Sequence, residues 1–90
     1  MKKLFLAIAL TVLQLGYAQN DKEALKKAAQ YYKNLDYVEA INAYESIAKR
    51  GVKPQELLEN LGNAYYYNAD YHQANKWYAK LLLRDRKSVV

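Results

Sequence analysis

Residues 31–44, YYKNLDYVEAINAY, and residues 65–78, YYYNADYHQANKWY, decide how this chain folds. A shift of 34 residues lays Tyr31, Tyr32, Asn34, Asp36, Tyr37, Ala40 and Tyr44 on Tyr65, Tyr66, Asn68, Asp70, Tyr71, Ala74 and Tyr78. Seven identities in fourteen positions exceed the roughly one or two that a Tyr-rich composition yields by chance. The chain therefore carries an internal repeat. Each copy reads as two helices around a tight turn, at Asn34-Leu35-Asp36 and at Asn68-Ala69-Asp70. Asn and Asp suit such turns because their short side chains bond nearby backbone, and Asp36 and Asp70 are the expected N-caps of the helices that follow.

Working outward, the repeat divides 21–88 into units 21–54 and 55–88, within a repeat domain of 19–88 followed by a short tail at 89–90. Between the units, Arg50-Gly51-Val52-Lys53-Pro54 combines a helix-ending Gly with a Pro suited to the first turn of the next helix. Spacings of three and four residues give one apolar stripe per helix. The stripes are Tyr37, Ala40, Ile41, Tyr44, Ile47 and Ala48; then Leu57, Leu58, Leu61, Ala64 and Tyr65; then Tyr71, Ala74, Trp77, Tyr78, Leu81 and Leu82. Ala28, Ala40, Gly62 and Ala74 are small where paired helices approach closely. The fold class expected is all-α, with four antiparallel helices in two tandem helix-turn-helix units.

Residues 1–18, MKKLFLAIALTVLQLGYA, differ in character from the rest. Lys2 and Lys3, a mostly apolar run from Leu4 to Leu15, and Gly16-Tyr17-Ala18 match the three regions of a signal peptide, with cleavage expected before Gln19. The run is shorter than the ~20 residues that span a bilayer, so no direct membrane span is expected after cleavage. Without Lys2 and Lys3 the formal charge falls from +5 to +3, ordinary for a small domain.

The 90 residues contain no Cys and one His, which rules out a disulfide framework, a thiolate metal site or a Cys nucleophile. No Gly-rich phosphate loop is present. Glu39, Glu45, Glu56 and Glu59 lie among Lys and Arg on polar faces, and His72 follows a turn without a paired nucleophile. No catalytic residue, metal ligand or cofactor is therefore expected, and the chain reads as a non-enzyme. The basic residues form no continuous stripe, so nucleic acid is not an expected partner.

The second unit resembles the tetratricopeptide repeat (TPR) family. Leu58, Leu61, Gly62 and Tyr65 stand at the family's first-helix signature, with Leu for its Trp, and Ala74 and Tyr78 at its second, with Tyr for Phe. In the first unit Ala24, Lys27, Ala28 and Tyr31 occupy the first signature, and Ala40 and Tyr44 keep the second. Lys27 in place of Leu suits an outer, terminal helix facing water. The resemblance implies the start of a right-handed superhelix whose concave face is lined by the first helix of each unit. It places Lys22, Lys26, Ala29, Tyr32 and Lys33, with Glu59, Asn60, Asn63, Tyr66 and Tyr67, on that face. The candidate peptide-binding groove is thus Tyr32, Lys33, Glu59, Asn60, Asn63, Tyr66 and Tyr67. Leu25 and Ala29 replace the first polar pair of the carboxylate clamp found in chaperone-binding relatives.

Leader and repeats together resemble the start of OmpA-family envelope proteins of Bacteroidetes-type bacteria. The resemblance implies Sec export and a periplasmic or outer-membrane location. Stacked repeats usually need about three units or a polar end, yet Leu81, Leu82 and Leu83 spread across ~200° of the last helix. Trp77, Leu81, Leu82 and Leu83 are therefore expected to form an exposed stacking end, open to self-association or further repeats. The function expected is that of an exported, non-catalytic protein-binding module. The alternative is an N-terminal spacer of a larger OmpA-like, peptidoglycan-associated outer-membrane protein.

Overall fold

The computed structural model describes residues 20–89, with side chains through Arg84, and the leader at 1–18 lies outside the described residues. All regular structure among them is helical. Helix α1 covers residues 20–33, α2 Tyr37–Lys49, α3 Gln55–Tyr67 and α4 Tyr71–Val89. α3 packs against both α2 and α4, so the first helix of the second unit holds the two units together.

The two turns are the same structure, 34 residues apart. In the first, the Asp36 N–H donates to Tyr31 O (2.9 Å) and the Leu35 N–H to Tyr32 O (3.1 Å). In the second, Asp70 N–H donates to Tyr65 O (2.9 Å) and Ala69 N–H to Tyr66 O (3.0 Å). This pairing satisfies helix-end carbonyls that have no partner within the helix, and it needs a left-handed residue at its centre. Leu35 (φ 66°) and Ala69 (φ 63°) occupy that position, where glycine usually stands. Gly51, at φ 87°, ends α2 and donates its N–H to Ala48 O.

The expected N-caps divide. Asp70 Oδ1 accepts from the Gln73 N–H at 3.4 Å, but Asp36 makes no side-chain cap bond. At φ −85°, ψ 72°, Asp36 departs from the extended backbone that aims a cap side chain at the first turn. Pro54 stands one residue before α3, not inside its first turn, with φ −66° and ψ 159°, and its carbonyl accepts the Leu58 N–H.

The core is built from the predicted stripes. Ala40, Ile41, Tyr44, Ile47 and Ala48 of α2 meet Leu57, Leu58, Leu61 and Ala64 of α3, with Ala28 and Trp77 joining from α1 and α4. Tyr44, Ile47, Leu57 and Leu61 are the largest fully buried side chains, and Ala28, Ala40, Gly62 and Ala74 are all buried. Two stripe members depart from expectation. Tyr71 opens α4 at the bundle's turn end and is exposed, and Leu82 is exposed although its neighbour Leu81 packs against the core. Trp77, expected at the exposed end, is instead in the core at 8 % exposure, with the Lys80 ammonium 5.3 Å over its ring. It shares a helix face with Ala74 and Leu81, and that face meets the rest of the core.

Candidate functional site: an aromatic edge at the turns

Because each turn is only three residues long, the last residues of one helix lie beside the first residues of the next. Tyr32 near the end of α1 meets Tyr37 at the start of α2, with ring centroids 6.1 Å apart at 71°. The same contact recurs after 34 residues: Tyr66 meets Tyr71 at 5.3 Å and 66°. Tyr67 links the two pairs. It stacks on Tyr37 across the unit boundary at 5.2 Å and 27°, and meets Tyr66 edge to face at 5.6 Å. Tyr67 stands where the first unit has Lys33, so this bridge belongs to the second unit alone.

The result is a row of five rings, Tyr32, Tyr37, Tyr67, Tyr66 and Tyr71, along the turn end of the molecule. Tyr66, Tyr67 and Tyr71 are 52, 59 and 57 % exposed, and Leu35 and Val38 beside the first turn are exposed as well. Five of the seven exposed large hydrophobics among the described residues therefore lie at this end, gathered in one place and not scattered over the surface.

A second set of tyrosines faces inward and is hydrogen-bonded. Asn60 Nδ2 donates to the buried Tyr44 hydroxyl at 2.9 Å, and the Tyr65 hydroxyl donates to Glu45 Oε1 at 2.7 Å; both bonds join α3 to α2. Within the second unit the Tyr78 hydroxyl donates to Asn63 Oδ1 at 2.6 Å. Burial pushes the Tyr65 phenol far above its ordinary value, reinforced by its bond to Glu45 and that carboxylate's charge. Burial also raises Tyr44 and Tyr78 of this set, and Tyr37 of the row, with neighbouring phenols adding to the rise of Tyr78 and Tyr37. These groups stay neutral at physiological pH. By contrast, none of the five row hydroxyls has a hydrogen-bond partner among the described residues.

The predicted groove residues thus separate into two roles. Tyr32, Tyr66 and Tyr67 come together in the row. Asn60 and Asn63 are engaged with Tyr44 and Tyr78, and their first task is to tie helices. Lys33 is exposed, and Glu59 accepts a bond from Gln55 within its own helix. At the predicted stacking end, Leu81 is half-buried against the core while Leu82 and Leu83 are 63 and 59 % exposed. Arg84 donates to the Lys53 carbonyl and ties α4 back to the linker. A shallow depression between α1 and α2, lined by Lys27, Tyr31, Glu39, Asn42 and Ala43, shares no residue with the row.

Sequence reasoning missed Tyr71 as a surface residue by assigning it to a buried stripe, whereas Tyr37, also given to a stripe, packs against the core while its ring joins the row. The signal was present: a Tyr five residues before another Tyr, spanning a three-residue turn, twice at the repeat interval. Among the described residues, no group of three or more acidic or His side chains could hold a metal ion, and no helix is long and apolar enough to cross a membrane. Comparison with protein families, with curated proteins and with solved structures finds no match to this chain.

Proposed function

We propose that the chain is an exported, non-catalytic protein-binding module of the tetratricopeptide repeat type, acting in the periplasm or at the outer membrane through its aromatic edge. One observation carries the reading: five tyrosine rings from four helices line one end, three of them more than half exposed. Tyr rings bury much area at small rotamer cost, and each retains a hydroxyl to bond a peptide backbone. The signal-like leader supports export.

The test is an array of extended peptides probed with the protein and with a Tyr66→Ala/Tyr67→Ala variant whose helicity is checked by circular dichroism. Peptide binding lost in the folded variant supports the reading; binding unchanged removes the edge from it. Asn63 is unsuited to this test, because changing it also releases Tyr78.

A second reading, favoured by a different observation, is that of a spacer at the start of a larger OmpA-like, peptidoglycan-associated outer-membrane protein. Leu82 is the repeat counterpart of Ala48, which lies at 6 % exposure in the α2–α3 core while Leu82 is open. A face that one unit covers is thus left uncovered on the other. Reading the gene beyond Val90 tests it directly. Sedimentation of the protein against a Leu82→Lys/Leu83→Lys variant tests the alternative that two copies cover this face.

A further inference from the structure

The two units differ at one place that the repeat itself makes visible. Trp77 is the counterpart of Ala43, and Leu61 the counterpart of Lys27. In the second unit the indole is buried in the core that contains Leu61, with Tyr65 packed against it. In the first unit a methyl group stands in its place. Between α1 and α2 this leaves the hollow lined by Lys27, Tyr31, Glu39, Asn42 and Ala43, with a volume of about 390 Å³. Ligand sites run from ~300 to ~1,000 Å³. Lys27, Tyr31 and Ala43 are the counterparts of Leu61, Tyr65 and Trp77, so the hollow occupies the place that the Trp77 ring fills in the other unit.

Its lining suits the same ring. Tyr31 and Ala43 are partly buried against the core and give an apolar floor, while Lys27, Glu39 and Asn42 stand exposed around it. Among the described residues, the side chains of Lys27, Glu39 and Asn42 have no hydrogen-bond or ion-pair partner. An indole N–H needs one acceptor, and its ring face attracts a cation. Glu39 and Asn42 offer acceptors from α2, and Lys27 a cation from α1. In the second unit Lys80 lies 5.3 Å over the Trp77 ring. Its counterpart is Ser46, so in the first unit the cation stands on α1 instead.

We propose that the hollow between α1 and α2 binds a tryptophan side chain of a partner polypeptide, seating an indole where the second unit supplies its own. The open rim favours a residue on a chain over a free small molecule. A small ligand is held where about 70–90 % of its surface is buried, whereas a residue needs only its ring enclosed and leaves its backbone outside. The hollow shares no residue with the aromatic edge and stands or falls apart from it.

The test follows the amide resonances of the isotope-labelled full chain during titration with three probes: acetylated, amidated Gly-Gly-Trp-Gly-Gly; the same peptide with Leu at its centre; and free tryptophan. Saturable shifts at Tyr31, Asn42 and Ala43 are expected with the Trp peptide, and binding about tenfold weaker or less with the other two. Ala43→Trp puts the second unit's residue into the first; it should abolish binding while the melting temperature holds or rises. Lys27→Gln, at an exposed position, should weaken binding by about two- to fivefold. Binding undiminished in either variant that folds overturns the proposal, as do equal binding of the Leu peptide, shifts confined to Tyr66 and Tyr67, or no binding at all. Free tryptophan binding as tightly as the peptide overturns the choice of a polypeptide.

Discussion

The ring of Tyr78 lies across the backbone of Gly62 so closely that a β-carbon on Gly62 would stand 2.6 Å from Cε1 and 2.8 Å from Cδ1. The ring has little freedom to withdraw, since its hydroxyl is held by Asn63. Two effects then compete in Gly62→Ala. Alanine favours the helix by about 1 kcal/mol, but overpacking costs about 1–3 kcal/mol. The clash should win, lowering stability by about 1 kcal/mol in denaturant unfolding. In a Tyr78→Ala background the sign should reverse, and Gly62→Ala should stabilise. Additive effects in the two backgrounds would show that the contact is not what keeps Gly62 small.

At the two turns the prediction runs the other way. Leu35 and Ala69 hold a left-handed backbone that costs a residue with a β-carbon roughly 1–2 kcal/mol. Glycine avoids this strain but loses more backbone entropy on folding. Leu35→Gly and Ala69→Gly should each stabilise the chain by about 0.5–1 kcal/mol, while Gly51→Ala, with open space around it, should destabilise by a similar amount through strain alone. Melting temperatures of the three variants check this; a fall for Ala69→Gly would contradict it.

Alkali should unfold the protein through its inward tyrosines. Tyr65, Tyr44 and Tyr78 have phenols raised from the ordinary value of 10.0. The unfolded chain therefore loses these protons first as pH rises, and the folded state binds more of them. Their contribution to stability is intact below pH ~10 and is lost as pH climbs through the raised values. The melting temperature should fall above pH ~10, more shallowly in Tyr65→Phe. An equally steep fall in that variant would remove Tyr65 from the account.

Asn60 should matter to stability before it matters to any ligand. Its amide is the partner of the Tyr44 hydroxyl, on a side chain that is 1 % exposed. Asn60→Ala leaves that hydroxyl without its donor and should cost about 1–3 kcal/mol. Tyr44→Phe/Asn60→Leu removes both partners and should cost less than the sum of its singles. A double-mutant cycle in denaturant with no coupling would show that the bond contributes nothing.

What could be read in the sequence follows from the range of the forces involved. Helix positions and core stripes depend on local periodicity, which is why Ala40, Ile41, Tyr44, Leu57 and Leu61 are buried as expected. The small residues Ala28, Gly62 and Ala74 were legible for the same reason. Asp36 makes no side-chain cap bond while Asp70, with the same backbone bonds to the helices on either side, accepts the Gln73 N–H. The residue type at the turn, which is the same in both, carries no sign of that difference. Trp77 was assigned to both a buried stripe and an exposed end, and packing against the core chose the first. The ring row was least legible. The Tyr37–Tyr67 stack joins residues thirty positions apart on different units, and no single-helix pattern encodes that meeting. Asn60 and Asn63 illustrate the same limit: the resemblance aimed them at a ligand, while neighbouring helices supply their partners.

The Tyr37–Tyr67 stack is the ring contact that joins α2 to α3, and it sits at one end of the boundary between the units. A change in the angle between the units would slide or part these two rings, giving up an aromatic contact of about 0.5–1.5 kcal/mol. A ligand lying along the row leaves the curvature of the pair as it is. One that wedged between Tyr37 and Tyr67 would have to displace an exposed ring or open that angle, and in the second case its binding would be linked to the angle between the units.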